Sequence, residues 1–267
     1  MARYQVILAY DGTGFTGSQV QANSRTVQGE LERALRNLGW SGRTVIMAGR
    51  TDTGVHATGQ VAAFDFEWAH PEEKLLRALN ADLPADLVIR DLVPAPADFH
   101  PRFDAVSRQY RYRMFCSPLR DPLREKFLWR VWPQVDGDAL VQNASIFLGT
   151  HDFAAFGSRT TPKGTTVRTV TKADWKRMPD GEWQFEVTAD AFLYRMVRRL
   201  VFVQVSVAQG KCPVEKVQHA LTKHGALLAG LAPAHGLTLV EVTYGSHEEI
   251  MKRRDESATE HILSESR

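Results

Sequence analysis

The sequence predicts an α+β protein whose mixed, mainly antiparallel sheets are flanked by helices. Three observations predict it: short segments of two-residue apolar alternation, amphipathic helix patterns standing singly between them, and turn chemistry suited to hairpins. Tyr4, Val6, Leu8 and Tyr10 share one face of a strand over residues 3–10, which Asp11-Gly12-Thr13-Gly14 ends. Thr26 is a good N-cap for a helix with the apolar stripe Val27, Leu31, Leu35 and Leu38. Residues 44–48 read as a strand, 49–56 as a loop and 60–66 as a second strand. Pro71 fits a first helical position ahead of a helix over 72–80. Strands follow at 87–93, 107–115 and 127–132, and Asp136 or Asp138 caps a helix carrying Leu140, Ala144, Phe147 and Leu148.

The second half repeats the theme, which predicts two similar domains, 1–104 and 105–245, with both halves lining one central cleft. Residues 167–175 and 183–189 form a hairpin across Pro179-Asp180-Gly181, with Trp183, Phe185 and Val187 on one face. A helix from about Tyr194 to Ala208 stops at Gly210, and another follows Pro213 and stops at Gly225. Residues 237–244 close the fold as a strand, and the charged tail 246–267 reads as disordered or only weakly helical.

Composition is that of a globular chain: 267 residues, 43% hydrophobic and 24% charged. No run approaches the roughly 20 apolar residues of a membrane span. Cys116 and Cys212 are the only cysteines, too few for a disulfide framework, and no signal-peptide pattern opens the chain; a cytoplasmic location is the default expectation. Net charge is only +2, but eight basic and three acidic residues lie between Arg102 and Arg130, and six basic residues and one acid between Arg159 and Arg177. Clustered arginine suits phosphate, and equally a solvated surface.

The chemistry concentrates in Gly49-Arg50-Thr51-Asp52-Thr53-Gly54-Val55-His56-Ala57, a loop between two strands. Taken alone, an aspartate between two threonines reads as a turn-former. No zinc spacing, Walker loop, dinucleotide fingerprint or serine elbow is present, so neither a metal nor a small-molecule cofactor is predicted.

This loop resembles the signature of the tRNA pseudouridine synthase A family. The likeness continues through Tyr10-Asp11-Gly12-Thr13, Arg25-Thr26-Val27-Gln28-Gly29-Glu30-Leu31-Glu32, Phe99-His100-Pro101-Arg102-Phe103, Arg108-Gln109-Tyr110-Arg111-Tyr112, Phe192-Leu193-Tyr194 with Met196-Val197-Arg198, and Ala232-Pro233-Ala234-His235-Gly236-Leu237. The resemblance implies the pseudouridine synthase fold with an RNA-binding cleft, a homodimer, and cofactor-free isomerisation of uridines 38, 39 and 40 in the tRNA anticodon stem-loop. It makes Asp52 the essential carboxylate, whether it attacks the sugar, attacks the base or removes a sugar proton. It makes Arg198 the cation beside that carboxylate, Tyr110 the residue lying against the target base, and Arg50 the side chain entering the stem as the uridine leaves it. His56 is the weakest candidate, read as a structural histidine fixing the loop in preference to an acid–base group. Without the resemblance, Arg198 reads as a helix-surface arginine and Tyr110 as a core tyrosine. The rival readings are an RNA-binding protein without activity, a synthase acting on another RNA, and an aspartate-dependent hydrolase, which lacks a second paired carboxylate. Several positions depart from the family: Ser18 stands where tryptophan is usual, Thr53 where alanine is common, and Arg199-Leu200-Val201-Phe202 where the family commonly shows Asn-Ile-Val-Gly, so that Phe202 replaces glycine.

Overall fold

The computed structural model describes residues 1–159, 164–223, 225–246 and 248–250. Among the described residues ten strands join into one sheet: β1 (Ala2–Tyr10), β2 (Ile46–Met47), β3 (His56–Phe66), β4 (Leu87–Ala95), β5 (Ala105–Cys116), β6 (Trp129–Val131), β7 (Gly149–Asp152), β8 (Val167–Arg177), β9 (Trp183–Ala189) and β10 (Leu237–Tyr244). Their main order is β4-β1-β3-β10-β5-β9-β8-β7, with β2 beside β3 and β6 beside β5. Pairing is antiparallel except for β3–β10 and β5–β6. Among the described residues the helices α1 (Val27–Asn37), α2 (Glu72–Asp82), α3 (Gly137–Ala144), α4 (Met196–Ala208) and α5 (Val214–Lys223) flank the sheet.

Local chemistry accounts for most of these elements. In β1 every second residue is buried, so Tyr4, Val6, Leu8 and Tyr10 form the inward face. The Thr26 hydroxyl accepts the Gly29 N–H at 3.2 Å and caps α1. Of the two candidate caps for α3, Asp136 takes the role, accepting the N–H groups of Asp138 and Ala139.

Several elements differ from the sequence reading. β3 begins at His56, because its first residues pair with β10. Pro71 occupies the N-cap position of α2 rather than its first turn. Phe147 lies in a 3-10 turn after α3, and Leu148 has extended backbone; the adjacent β7, unmarked by periodicity, pairs with β8. α4 starts at Met196, since Arg195 adopts a left-handed φ of 64° that interrupts the helix. The tail from residue 251 lies outside the described residues.

The apolar residues gather into two clusters. One holds β1, α1 and α2 side chains, such as Leu8, Leu31, Leu35, Leu75 and Leu79. The other holds Phe147, Phe153, Phe156, Phe185, Leu200 and Val203 from later segments. β10 belongs to both, through Leu237 in the second and Leu239 and Val242 in the first. This one strand therefore welds the sheet across its middle, pairing parallel with β3 and antiparallel with β5. The approach to β3 is close: a Cβ at Gly59 would lie 2.1 Å from the Val240 carbonyl oxygen.

Gly59→Ala is accordingly expected to push β3 and β10 apart. The cost is about 1–3 kcal/mol of overpacking, seen as a lowered thermal or urea midpoint. An unchanged midpoint would show that the seam is not as tight as its geometry.

Candidate active site

The Asp52 loop runs from β2 into β3 and is gripped from the amino-terminal segment. The Thr51 N–H donates to Ser18 Oγ at 2.9 Å, and the Ser18 N–H donates to the Thr51 carbonyl at 3.1 Å. The Tyr10 hydroxyl shares a 2.9 Å hydrogen bond with Thr51 Oγ1. Desolvation pushes the Tyr10 hydroxyl up to about 12, so it stays protonated at neutral pH. The Gln60 amide donates to the Gly49 carbonyl at 3.0 Å. A tight turn follows, with the Val55 N–H bonded to the Asp52 carbonyl and Gly54 at a φ of 78°, where glycine is favoured. Close packing also requires Gly12, where a Cβ would sit 2.0 Å from the Val55 carbonyl oxygen.

From the other side comes α4. Arg198 Nη1 donates to Asp52 Oδ2 at 2.7 Å, with the two side chains only 14% and 19% exposed. The same guanidinium donates from Nε to the Ala232 carbonyl at 2.8 Å, so its orientation is set by two acceptors. The segment 232–236 continues past the loop: the Pro233 carbonyl accepts the Tyr112 hydroxyl at 2.9 Å, and the His235 carbonyl lies 3.1 Å from His56 Nε2.

Tyr110 stands on β5, two residues from the fully buried Tyr112, with its ring edge-on to Phe192 at 5.1 Å. Burial pushes its hydroxyl above the ordinary tyrosine range, an effect the charge of Asp52 reinforces and that of Arg108 opposes. It is therefore a neutral phenol within electrostatic reach of Asp52. No described residue shares a hydrogen bond with that hydroxyl. Arg50 is exposed beside the loop and has no hydrogen bond or ion pair among the described residues.

The structure thus brings Asp52, Arg198 and Tyr110 together and sets Arg50 at the margin. Sequence reading marked Tyr10, Ser18 and residues 232–237 only as motif letters or departures; it missed that Tyr10 and Ser18 clamp Thr51 and that the segment 230–236 straps Arg198 and His56. The clustered arginines are less available to phosphate than their count implies. Arg111 pairs with Glu186 at 2.7 Å and Arg113 with Glu182 at 2.6 Å, across the β5–β9 ladder. Among the described residues no three His, Cys, Asp or Glu stand together as metal ligands, and no helix is long and apolar enough to cross a membrane.

His56 is bonded as a strut. The Gly12 N–H donates to its Nδ1 at 2.9 Å, Asp11 Oδ1 lies 3.2 Å from the same nitrogen, and Nε2 faces the His235 carbonyl. Burial lowers its pKa despite the opposing charge of Asp11. The unfolded chain then binds this proton more tightly than the folded one, so the stabilisation is complete above the ordinary value of 6.5 and is lost as pH falls below it. The urea-stability difference between wild type and His56→Gln is expected to shrink as pH is lowered from 8 to 5.5. A difference independent of pH would rule out a neutral, buried histidine.

Comparison with known proteins accords with this geometry. The sequence model of a family described as tRNA pseudouridine synthase matches residues 6–104 and 144–245. A tRNA pseudouridine synthase A of Chloroflexus aurantiacus is 42% identical over 251 residues, covering 91% of this chain and 89% of the relative. Proteins of the same name from Limosilactobacillus fermentum and Shouchella clausii are 38% and 40% identical, over 92% of this chain and 97% and 94% of their own lengths. With the signature loop at the meeting point of β3, β10 and α4, and with likeness running nearly end to end, the chain belongs to the tRNA pseudouridine synthase family.

Proposed function

We propose that this enzyme converts uridine to pseudouridine at positions 38, 39 and 40 of the tRNA anticodon stem-loop, with Asp52 as the reacting carboxylate. The observation that carries the reading is the 2.7 Å Arg198–Asp52 contact in a mostly desolvated setting. The reaction breaks the bond between uracil N1 and the sugar and forms one from C5 to the same sugar carbon. N1 gains a proton and C5 loses one, so nothing is oxidised and no group leaves.

Such chemistry asks for a held carboxylate, a surface to receive the base and a controlled proton. Asp52 is the group that acts, on the sugar or on the base. Arg198 holds one carboxylate oxygen at 2.7 Å and so fixes the direction of the other. Tyr110, with an unspent hydroxyl and an aromatic face, is the residue against which the base lies. Arg50 enters the stem in place of the extruded uridine. The chain works without a cofactor in the cytoplasm, and as a homodimer whose subunits both grip one tRNA. Sedimentation at the mass of one 30.0 kDa chain, with full activity, would remove the dimer from this account.

The test is to map pseudouridine in unmodified tRNA after incubation with purified protein. Product is expected at 38, 39 and 40, and Arg50→Ala is expected to lower turnover by about tenfold or more, since base extrusion costs a few kcal/mol. Product confined to other positions, or to another RNA, would contradict the substrate assignment.

A further inference from the structure

We propose that Phe202 is a positioning residue for the reaction: together with Gly230 it sets the strap that aims the Arg198 guanidinium at Asp52. The inference rests on the reading that Asp52 and Arg198 form the reacting centre.

α4 presents Arg198 and Phe202 one helical turn apart, on neighbouring positions of one face. Arg198 is tied to the strap twice, by its Nε–H to the Ala232 carbonyl at 2.8 Å and by its own carbonyl, which accepts the Ala232 N–H at 3.2 Å. Arg199 adds a bond from Nη1 to the Gly230 carbonyl at 2.7 Å. Between these polar ties lies the Phe202 ring. A Cβ at Gly230 would fall 2.0 Å from Phe202 Cζ and 2.4 Å from Cε1, so the ring lies directly against bare backbone. Gly230 has a φ of 145°, a conformation that other residues rarely adopt.

Upstream of these ties the described residues offer one further anchor, Leu227, which packs against the second apolar cluster. Residues 225–229 form no main-chain hydrogen bond among the described residues, and Gly230 itself is exposed. The ring therefore fixes how far the 230–232 backbone stands from α4, and the Ala232 carbonyl in turn fixes the guanidinium. Further on, the strap reaches Pro233 and His235, which hold Tyr112 and His56. Removing the ring lets the strap sink toward the helix, and the Arg198 fork turns with its acceptor. Catalytic geometry is sensitive to this: a displacement of about 1 Å can lower a rate by roughly a hundredfold. The binding of tRNA, spread over a much larger surface, is not expected to notice.

A double-mutant cycle on tRNA turnover tests the proposal. Phe202→Ala is expected to lower kcat by about tenfold to a hundredfold and to leave KM nearly unchanged, while Phe202→Leu restores most of the rate. In an Arg198→Lys background, where no Nε–H reaches Ala232, the same Phe202→Ala change is expected to cost little more in single-turnover rate. Gly230→Ala, which drives a methyl group against the ring, should reproduce the kcat defect from the opposite side and carries the test if Phe202→Ala does not fold. Wild-type kcat in Phe202→Ala, a defect in KM alone, or an equal loss with and without Arg198 would overturn the proposal. If instead Asp52→Asn remained active, the reading of the reacting centre would fail first, independently of Phe202.

Discussion

The 2.7 Å contact between Arg198 and Asp52 joins residues 146 positions apart, and the neighbouring architecture is arranged to hold it. Such a pair does not form for its own sake. Taking a carboxylate and a guanidinium out of water costs several kcal/mol per ion, and their attraction repays this only when geometry is good and the remaining donors are satisfied. Here two sets of contacts hold the partners in place. Ala232 accepts the second arginine donor, and Thr51 is clamped by Tyr10 and Ser18 immediately before the carboxylate. A charge held this way is prepared for reaction, since no solvent has to reorganise around it.

The sheet explains how two distant segments can be placed so firmly. β10 returns from the end of the fold to lie between β3, which continues from the Asp52 loop, and β5, which carries Tyr110. The strap that precedes β10 passes under the loop, so one continuous stretch from Gly230 to Tyr244 supplies an acceptor for Arg198, an acceptor for His56 and the seam of the sheet. Charge is spent mainly on this framework. The cross-strand pairs of Arg111 and Arg113 with Glu186 and Glu182 stitch β5 to β9, and Lys126 reaches Asp11 at 2.9 Å. Burial alone would raise the Asp11 carboxyl, but the Thr13 hydrogen bonds and Lys126 outweigh it and hold the group down at about 2.

Much of this was legible in the sequence where a local rule sufficed. The alternation in β1, the Thr26 cap and the hairpin around Asp180-Gly181 are short-range signals with direct physical causes. The grouping of Asp52, Tyr110 and Arg198 came from motifs, because no periodicity relates residues so far apart. What stayed hidden has no local signature. β7 exists because β8 offers it an edge, and α4 starts late because Arg195 turns left-handed ahead of it. The role of Ser18 depends on meeting Thr51, 33 residues away, and that of Phe202 on a glycine in an irregular segment. The departures at Ser18 and Phe202 were visible as letters; only the fold supplies their partners.

The central claim is that Asp52 reacts, rather than merely shaping its turn. Asp52→Asn keeps the size of the side chain and its capacity to accept a hydrogen bond, while removing the charge. The decisive measurement is pseudouridine formation by this variant, with tRNA affinity and folding measured on the same preparation. The account predicts a folded protein with nearly normal affinity and no detectable product. Substantial residual turnover would contradict it, because asparagine serves as well as aspartate in a turn but not as the reacting carboxylate.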